Sequence, residues 1–469
     1  MCGCRRVRPA ASRVVPNVSC AVVVALTVSA CAAHQTASLR AEAERGVYSA
    51  EGLYDPTIVR YDNGLTLVAK QRPGIRTVSV RVDVGLGMAH YECGRQNTPH
   101  FLEHMLFAGV PGMSESAFER RMFELGAWSN ARTRATDTVY ELDVFSGTAL
   151  EAMGLLAEML TNAELTHDSY RKTQDVVWRE GGGEPGSVER RQMLGGDLAS
   201  GMRKAMAGVA PRRMQICGAR YAGRNVTFGA VERAYRKHYV PQRMVWTVVG
   251  DFDRQTLLAW AKDRLGSVPP GDTDAPEAAA VTGFDEAEYA GFAPEPEVQI
   301  LARTDGMTGN SYYVRRFLAH LLDQRLYTRL RLEEPLTYTP GSFSYNGPDW
   351  GVFGLSAETE AEDQDKALSA MREIIDELVD APLPPEEFRA IQLSLLRRWA
   401  QSVETNTDYA EYYINSLPEL RRDGRFINEE ARIAALTPQR VHEVAKRLFA
   451  KDRTVVVRDR DIQTQITAR

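Results

Sequence analysis

Two common catalytic motifs are missing from this sequence of 469 residues. No glycine-rich phosphate loop follows a predicted strand, and no G-x-S-x-G nucleophile elbow occurs. Their absence argues against phosphate-loop and elbow-type serine hydrolase chemistry. Histidine is rare, with eight in the chain, and five of these are scattered without any sign of a shared site: His90, His167, His238, His320 and His442.

The overall composition is that of a soluble globular protein. Hydrophobic residues make up 44% of the chain and charged residues 25%, which fits neither a disordered chain nor a membrane bundle. The 57 basic and 62 acidic side chains give a formal net charge of −5, so acid predominates and a nucleic-acid partner is not expected. The length predicts two or more domains.

The N-terminus differs from the rest of the chain. Residues 1–30 carry four arginines and no acid, then an apolar stretch that ends in small residues, and this layout predicts a signal peptide. Val28 to Cys31 resembles a bacterial lipoprotein box, which predicts lipidation of Cys31 and a membrane anchor. Ala32 in the next position favours the outer membrane. The alternative is a plain signal followed by a coincidental cysteine.

Loss of the predicted signal would leave few cysteines. Without its four arginines the formal net charge moves from −5 to −9, and the remaining cysteines are Cys31, Cys93 and Cys217. If Cys31 is lipidated, Cys93 and Cys217 either pair in an oxidising compartment or remain two separate buried thiols.

The chain contains an internal duplication. The segments that begin at Thr227 and Thr437 align at an offset of 210, and Val231 falls on Val441. Each segment predicts a capped amphipathic helix, a short polar turn and a β-branched strand. A period this long exceeds that of solenoid repeats and indicates domain duplication.

The fold predicted for each copy is α+β. Strands at both ends with helices between them suggest two homologous domains, each a mixed β-sheet with helices packed mainly on one face. TVSVRVDVG, residues 77–85, alternates like a half-buried strand. The predicted domains are a signal peptide, a lipidated N-terminus and tether, a zinc-binding domain, a linker and a domain without zinc: 1–30, 31–50, 51–268, 269–297 and 298–469.

The motif HFLEH suggests a metal site. On a helix, His100 and His104 lie on one face at positions i and i+4, where both imidazoles can bind one zinc ion. Glu103 can reach a water beside the metal and take a proton from it. The alternative is an amphipathic helix whose polar face carries these residues by chance. A catalytic zinc also needs a third protein ligand.

The surrounding segment resembles a known family. GMAHYECGRQNTPHFLEHMLFAG, residues 87–109, is similar to the active-site segment of the pitrilysin/insulinase-type inverzincin zinc metallopeptidases, which include the mitochondrial processing peptidase-like bacterial branch. In that family a glutamate about 76 residues beyond the second histidine is the third ligand. Glu180 has this spacing and follows Val176 and Val177. The resemblance therefore implies His100, His104 and Glu180 as zinc ligands and Glu103 as general base.

Two further segments resemble family elements. GAWSNARTRATDTVYELDVF resembles an edge strand that takes substrate backbone, which implies substrate-binding roles for Asn130, Ala131 and Thr133; an ordinary amphipathic strand is the alternative. RLYTRLRLEEPLTY resembles an element whose arginine and tyrosine reach the zinc site, which implies that Arg331 and Tyr338 stabilise the oxyanion. A surface arginine and a core-edge tyrosine are the alternative there.

Three departures from the family pattern stand out. Thr173 occupies the position of a supporting glutamate, and glycines at 181–183 follow Glu180 directly. Leu332 and Pro335 replace the usual glutamate and glycine of the arginine–tyrosine element. These changes bear on catalytic strength and on the geometry of the substrate loop.

The resemblance implies a zinc-dependent endopeptidase that cleaves short or unfolded polypeptides in the cell envelope. Like the smaller family members, the chain would form half of a two-chain clamshell, either as a homodimer or with a related subunit. In a homodimer, zinc in one subunit would face Arg331 and Tyr338 of the other. The alternative is a non-catalytic peptide-binding or assembly subunit, a role that the departures around Glu180 favour.

Overall fold

The structure is a computed structural model that describes residues 52–92, 94–180, 200–209, 225–272, 283–293, 295–307, 309, 311–347 and 349–461. The expectations for the signal, Cys31, the tether, Cys93, Cys217 and the glycines at 181–183 lie outside these residues. None of the helices within the described ranges is long and apolar enough to cross a membrane.

Within the described residues, the first half contains one six-stranded mixed sheet and a separate hairpin whose two strands have two residues each. Its strands are β1 (Thr57–Arg60), β2 (Thr66–Gln71), β3 (Thr77–Val84), β4 (Gly109–Val110), β5 (Met113–Ser114), β6 (Trp128–Thr133), β7 (Thr138–Phe145) and β8 (Met244–Gly250). The sheet order is β1-β2-β8-β3-β7-β6, and β2 runs parallel to β8 while the other pairs are antiparallel. This order leaves β6 at an edge.

The helices of the first half mostly cover one face of that sheet. They are α1 (Thr98–Leu106), α2 (Glu115–Glu124), α3 (Ala149–Thr161), α4 (His167–Glu180), α5 (Gly201–Val209), α6 (Phe228–His238) and α7 (Arg254–Arg264). Apolar side chains of six of them, all except α5, form one core with inward-facing residues of β3, β7 and β8. Burial of this apolar stripe is what places α1 on the sheet.

The second half repeats this plan. Its strands are β9 (Glu288–Ala293), β10 (Glu297–Thr304), β11 (Gly341–Asn346), β12 (Gly351–Glu358) and β13 (Thr454–Asp461), in the order β11-β12-β10-β13-β9. Its helices are α8 (Tyr312–Leu326), which continues as a π-helix (Tyr327–Glu333), α9 (Gln364–Asp380), α10 (Pro385–Gln401), α11 (Asn406–Asn415), α12 (Leu417–Asp423), α13 (Glu429–Ala434) and α14 (Pro438–Leu448). The two mixed sheets with their helices confirm the α+β class.

The duplicated segments fold as the sequence predicts. The Thr227 hydroxyl accepts a hydrogen bond from the Ala230 amide at the start of α6, and Thr437 caps α14 in the same way through the Arg440 amide. Each helix leads into a strand, β8 after α6 and β13 after α14. A side-chain oxygen at the N-cap satisfies an amide that has no partner inside the helix.

Part of the predicted linker is structured. The stretch 269–297 contains β9, which pairs in parallel with β13, and Tyr289 on this strand is buried against the second sheet. This part of the stretch is therefore a strand of the second sheet and not a linker. The division of the chain into domains otherwise remains a prediction.

Each half contributes a helix to the other half. Helix α11 lies on the face of the first sheet opposite α1 and contacts β3 and β8, while α5 lies on the second sheet and contacts β9 and β13. The side-chain amide of Asn406 donates to the Thr77 backbone carbonyl at 2.9 Å, and the backbone amide of Gly201 donates to the Asp459 carboxylate at 2.7 Å. The expectation that β3 is half-buried is therefore wrong, because α11 covers its polar face.

Candidate metal centre

Helix α1 carries the HFLEH motif at the surface of the first core. Pro99 lies in its first turn, where a missing amide hydrogen costs nothing. Phe101, Leu102 and Met105 are buried in the core of the first sheet. Because these anchors occupy the inward face, His100 and His104 are only partly buried and their rings lie side by side, with centroids 4.7 Å apart.

Three ligand atoms converge where α1 meets the end of α4. The Nε2 atoms of His100 and His104 are 3.0 Å apart, and each lies 3.3 Å from Oε2 of Glu180. A tetrahedral zinc with bonds of about 2.0–2.1 Å places neighbouring ligand atoms about 3.3 Å apart. The donor set and its spacing therefore fit zinc.

The histidine environment favours the form that binds a metal. Burial lowers the pKa of His100, and the neighbouring His104 lowers it further, whereas Glu180 opposes this shift. A lowered pKa keeps the His100 imidazole neutral near pH 7, and a neutral imidazole has the lone pair that zinc requires.

Glu103 lies beside this cluster but in a different environment. Its side chain is 7% exposed, and the Thr133 hydroxyl donates a 2.6 Å hydrogen bond to its Oε2. One carboxylate oxygen lies within 4.8 Å of the ligand nitrogens of His100 and His104. Burial raises the pKa of Glu103, and the bond from Thr133 partly offsets the rise. A buried carboxylate held next to a candidate metal suits a proton acceptor.

A polar layer supports Glu103 from the sheet side. The Thr138 hydroxyl, on β7, lies 3.5 Å from the Thr133 hydroxyl and donates to the Leu86 carbonyl at 2.8 Å. The Tyr140 and Tyr239 hydroxyls form a buried 2.6 Å hydrogen bond in the same core. Sequence reasoning missed these three side chains, although the burial of Thr138 and Tyr140 on the α1 face follows from the strand pattern T-V-Y.

The predicted substrate strand is β6, and its side chains divide between the two faces of the sheet. Thr133 faces α1 and bonds Glu103, and Ala131 on the same face is buried in the core. Asn130 is exposed on the opposite face. The structure thus brings Thr133 to the candidate base, and the substrate-binding roles of all three remain predictions.

Arg331 and Tyr338 lie next to each other in the second half. The Arg331 guanidinium sits 3.9 Å from the centre of the Tyr338 ring and donates to the Tyr338 carbonyl at 3.0 Å. Tyr338 is 74% exposed. Within the described residues, the hydrogen-bond and ring contacts of both side chains stay in the second half, so the structure does not bring the pair to Glu180 of the same chain.

The support of Glu180 is weaker than that of the histidines. Thr173, at the position of the supporting glutamate, is 5% exposed in α4 and brings no charge to the site. The Glu180 side chain is 47% exposed. The third candidate ligand is the last residue of α4, and Val177 is its nearest buried anchor on that helix.

Two family models match the chain. The model described as Insulinase (Peptidase family M16) matches residues 66–182, which include the candidate metal site, and the model described as Peptidase M16 inactive domain matches residues 225–395. The first match lies within the first half, whereas the second begins before α6 in the first half and ends in α10 of the second half.

Two curated relatives are similar over part of the chain. The mitochondrial-processing peptidase subunit beta of Saccharomyces cerevisiae is 25% identical over 214 residues, which are 46% of this chain and 45% of that subunit. An uncharacterized zinc protease of Rickettsia bellii is 24% identical over 332 residues, which are 67% of this chain and 75% of the relative. The chain thus spans less than half the length of the yeast subunit.

Two solved structures share the fold. A protease from Helicobacter pylori has a TM-score of 0.73 at 17% identity and covers 87% of this chain and 100% of its own. The periplasmic protease PqqL from Escherichia coli has a TM-score of 0.69 at 16% identity, with 89% of this chain and 48% of its own chain covered. The matches of the two family models, which cover residues 66–182 and 225–395, show that this chain belongs to peptidase family M16, the insulinase- or pitrilysin-type family.

Proposed function

We propose that this protein is a zinc-dependent endopeptidase that hydrolyses short or unfolded polypeptides. The observation that carries the proposal is the convergence of His100, His104 and Glu180 at 3.0–3.3 Å beside the buried Glu103 carboxylate. His100, His104 and Glu180 would hold the metal. Bound zinc would supply a Lewis acid that makes a water nucleophilic near neutral pH and polarises the scissile carbonyl.

The side chains around the metal divide the remaining work. Glu103 takes the proton of the attacking water and later delivers it to the leaving amine. Thr133 donates to Oε2 of Glu103 and so fixes the carboxylate in one orientation. A fixed acceptor needs no reorganisation during the reaction, which lowers the barrier to proton transfer.

The substrate would bind as an added strand. Among the strands that the structure describes, β7 alone pairs with β6, so alternate backbone amides and carbonyls of β6 point outward and can pair with an extended peptide. Thr133 ends this strand next to Glu103. A substrate that pairs along β6 would therefore have one of its peptide bonds next to the candidate metal site. Such pairing requires an unfolded, extended substrate segment.

A second chain would complete the site. The Arg331 guanidinium stacks on the exposed Tyr338 ring, and both side chains would face the zinc of a partner subunit, where a guanidinium and a phenol can stabilise an oxyanion. The partner is a second copy or a related subunit. The chain also matches 48% of the PqqL chain, which is the share expected when two such units lie in one longer chain.

The cell envelope is the proposed location. The signal-like residues 1–30 and the lipoprotein-like box at Cys31 support secretion and a lipid anchor, and a similar solved structure is named a periplasmic protease. Labelling cells with a palmitate analogue tests this location. Wild-type protein should incorporate the label and a Cys31→Ala variant should not.

A non-catalytic subunit that binds peptide is the second candidate. Thr173 in place of an acid and the exposure of Glu180 favour it, since both weaken the outer support of a metal ligand. The second family model, which is described as an inactive domain, matches residues 225–395, and these do not include HFLEH. The complete set of His100, His104, Glu180 and Glu103 favours the peptidase.

One experiment separates the two candidates. Zinc content is measured on residues 32–469 together with cleavage of an internally quenched peptide library, beside a Glu103→Gln variant. Near-stoichiometric zinc, with turnover lost in the variant, is the expected result. Zinc without turnover, in the dimeric protein, would support the binding subunit, and no zinc would overturn the proposed metal centre.

A further inference from the structure

We infer that Trp128 forms an apolar subsite at the far end of the substrate strand, so that the protein selects extended peptides with an aliphatic or aromatic side chain there. This inference rests on the proposed binding of substrate along β6. It assigns a specificity role to a side chain that takes no part in the chemistry at Glu103.

The position of Trp128 follows from the alternation of β6. Thr133 and Ala131 face α1, because one bonds Glu103 and the other is buried in the core of the first sheet. Side chains two residues apart share a face, so Trp128, Asn130 and Arg132 face the opposite side. The contact of Arg132 with Glu411 on α11 confirms this assignment.

Trp128 is unusually exposed for its size. It is 52% exposed, and Phe123, at the end of α2 just before β6, is 83% exposed. Helix α11 starts at Asn406 and leaves Trp128 uncovered. Each ring leaves a large apolar area in water, and burial of that area favours contact with another apolar group.

Phe123 is separate from this subsite. Phe123 belongs to α2, which packs on the α1 face, whereas Trp128 faces the α11 side. A peptide added along β6 would present alternate side chains on the Trp128 face, and this continuity with the edge strand identifies the peptide as the occupant.

The distance to the metal sets the position that is selected. Trp128 and Thr133 are five residues apart on β6, which corresponds to roughly 17 Å along a strand. An added strand pairs residue for residue with its neighbour. The substrate residue beside Trp128 is therefore about five positions from the one beside Thr133, well outside the reacting atoms.

The charged side chains near Trp128 already have partners of opposite charge. Ser129 and Asn130 are uncharged, and Asp143, the cross-strand partner of Trp128, already accepts hydrogen bonds from Arg81. Arg132 is paired with Glu141 and Glu411. The subsite therefore offers apolar area with its local charges already paired, and we expect selection for apolarity.

Peptide binding by the zinc-loaded Glu103→Gln protein tests the inference without cleavage. Fluorescein-labelled peptides that are otherwise serine-rich carry one leucine at successive positions, and fluorescence anisotropy gives each dissociation constant. One position should bind about 5–20-fold more tightly with leucine than with serine. Adding Trp128→Ala should reduce that ratio to about one, and Trp128→Phe should keep most of it.

A matched control removes an exposed apolar side chain elsewhere. Leu393 on α10 is 40% exposed in the second half, and Leu393→Ala should leave the ratio unchanged. Equal ratios with and without Trp128, a preference for lysine over leucine, or no peptide binding at all would each overturn the subsite. If peptides bind selectively but the wild-type protein never cleaves them, the proposed peptidase activity would be overturned and the subsite retained. If the wild-type protein cleaves peptides and binding shows no selectivity, the subsite would be overturned and the peptidase activity retained.

Discussion

The carboxylate of Glu411, on α11 of the second half, accepts a 2.6 Å hydrogen bond from the Arg132 guanidinium on the edge strand β6. Its other oxygen accepts a 2.8 Å bond from Arg81 on β3, whose side chain is 1% exposed. One acid of the second half thus holds two strands of the first sheet on the face opposite the metal ligands. The second half therefore supports the position of the substrate strand.

Glu411→Gln should destabilise the protein and loosen β6. Arg81 would keep Asp143 as an anionic partner but lose a charge that compensates its burial, and we expect a loss of roughly 2–3 kcal/mol in the free energy of unfolding. Urea unfolding measures it. Glu443→Gln is the control, since the exposed Arg440–Glu443 pair should contribute under about 0.5 kcal/mol. Equal effects of both variants would contradict the role of Glu411.

Thr133→Val should lower kcat and leave zinc content intact. The hydroxyl that orients Glu103 disappears while the volume of the side chain is nearly kept, so we expect a loss of roughly 10-fold in kcat and a small change in KM. Thr133→Ser restores the donor and should recover most of the rate. A Thr133→Val effect confined to KM would instead support contact with substrate and contradict orientation of the base.

Much of the candidate site was predictable because it depends on local spacing. The i and i+4 spacing placed His100 and His104 on one face of α1, and the resemblance placed Glu180 beside them, as the structure does. The role of Thr133 was not predictable from the motif. Strand alternation turned its hydroxyl toward Glu103, which depends on how α1 packs against β6.

Contacts across the two halves could not be predicted from local patterns. The alternation of β3 indicated a polar face, which suggested contact with water. The structure instead buries Arg81 and Asp83 on that face, where they pair with Glu411 and Arg421 from more than 300 residues away. Alternation reveals that two faces differ, but it does not reveal that a distant helix supplies matching charges.

Zinc should stabilise the folded protein through His100, His104 and Glu180. A ligand that binds the native state alone raises stability by RT ln(1 + [L]/Kd), or about 2.7 kcal/mol at 100 times Kd. Adding zinc to chelator-treated protein should raise Tm, and His104→Ala should abolish the rise. His320→Ala, a histidine of the second half, serves as the control and should respond like the wild type. An equal rise in both variants would contradict the assigned ligands.

Glu419 should make stability fall as pH rises. Burial, with a smaller contribution from Glu429, raises its pKa from 4.5 to about 7. Between these values the folded state binds more protons than the unfolded state, so this contribution to stability is highest below pH 4.5 and lost by about pH 7. Glu419→Gln removes this titration. The free energy of unfolding of the variant, relative to wild type, should therefore rise by on the order of 1–3 kcal/mol from pH 4.5 to pH 8. If the free energies of unfolding of wild type and variant changed with pH in the same way across this range, the raised pKa of Glu419 would be contradicted.

Mixing two inactive variants should restore activity if subunits share sites. Glu103→Gln removes the base, and Arg331→Ala removes the arginine that would reach the partner's metal. In a homodimer assembled from both, one site combines an intact Glu103 with an intact Arg331, so the mixture should regain about a quarter of wild-type turnover. The assay is peptide cleavage after co-refolding, with each variant alone as the control. No recovery from a dimer of verified size would show that Arg331 acts within its own chain or not at all, because a shared site requires complementation.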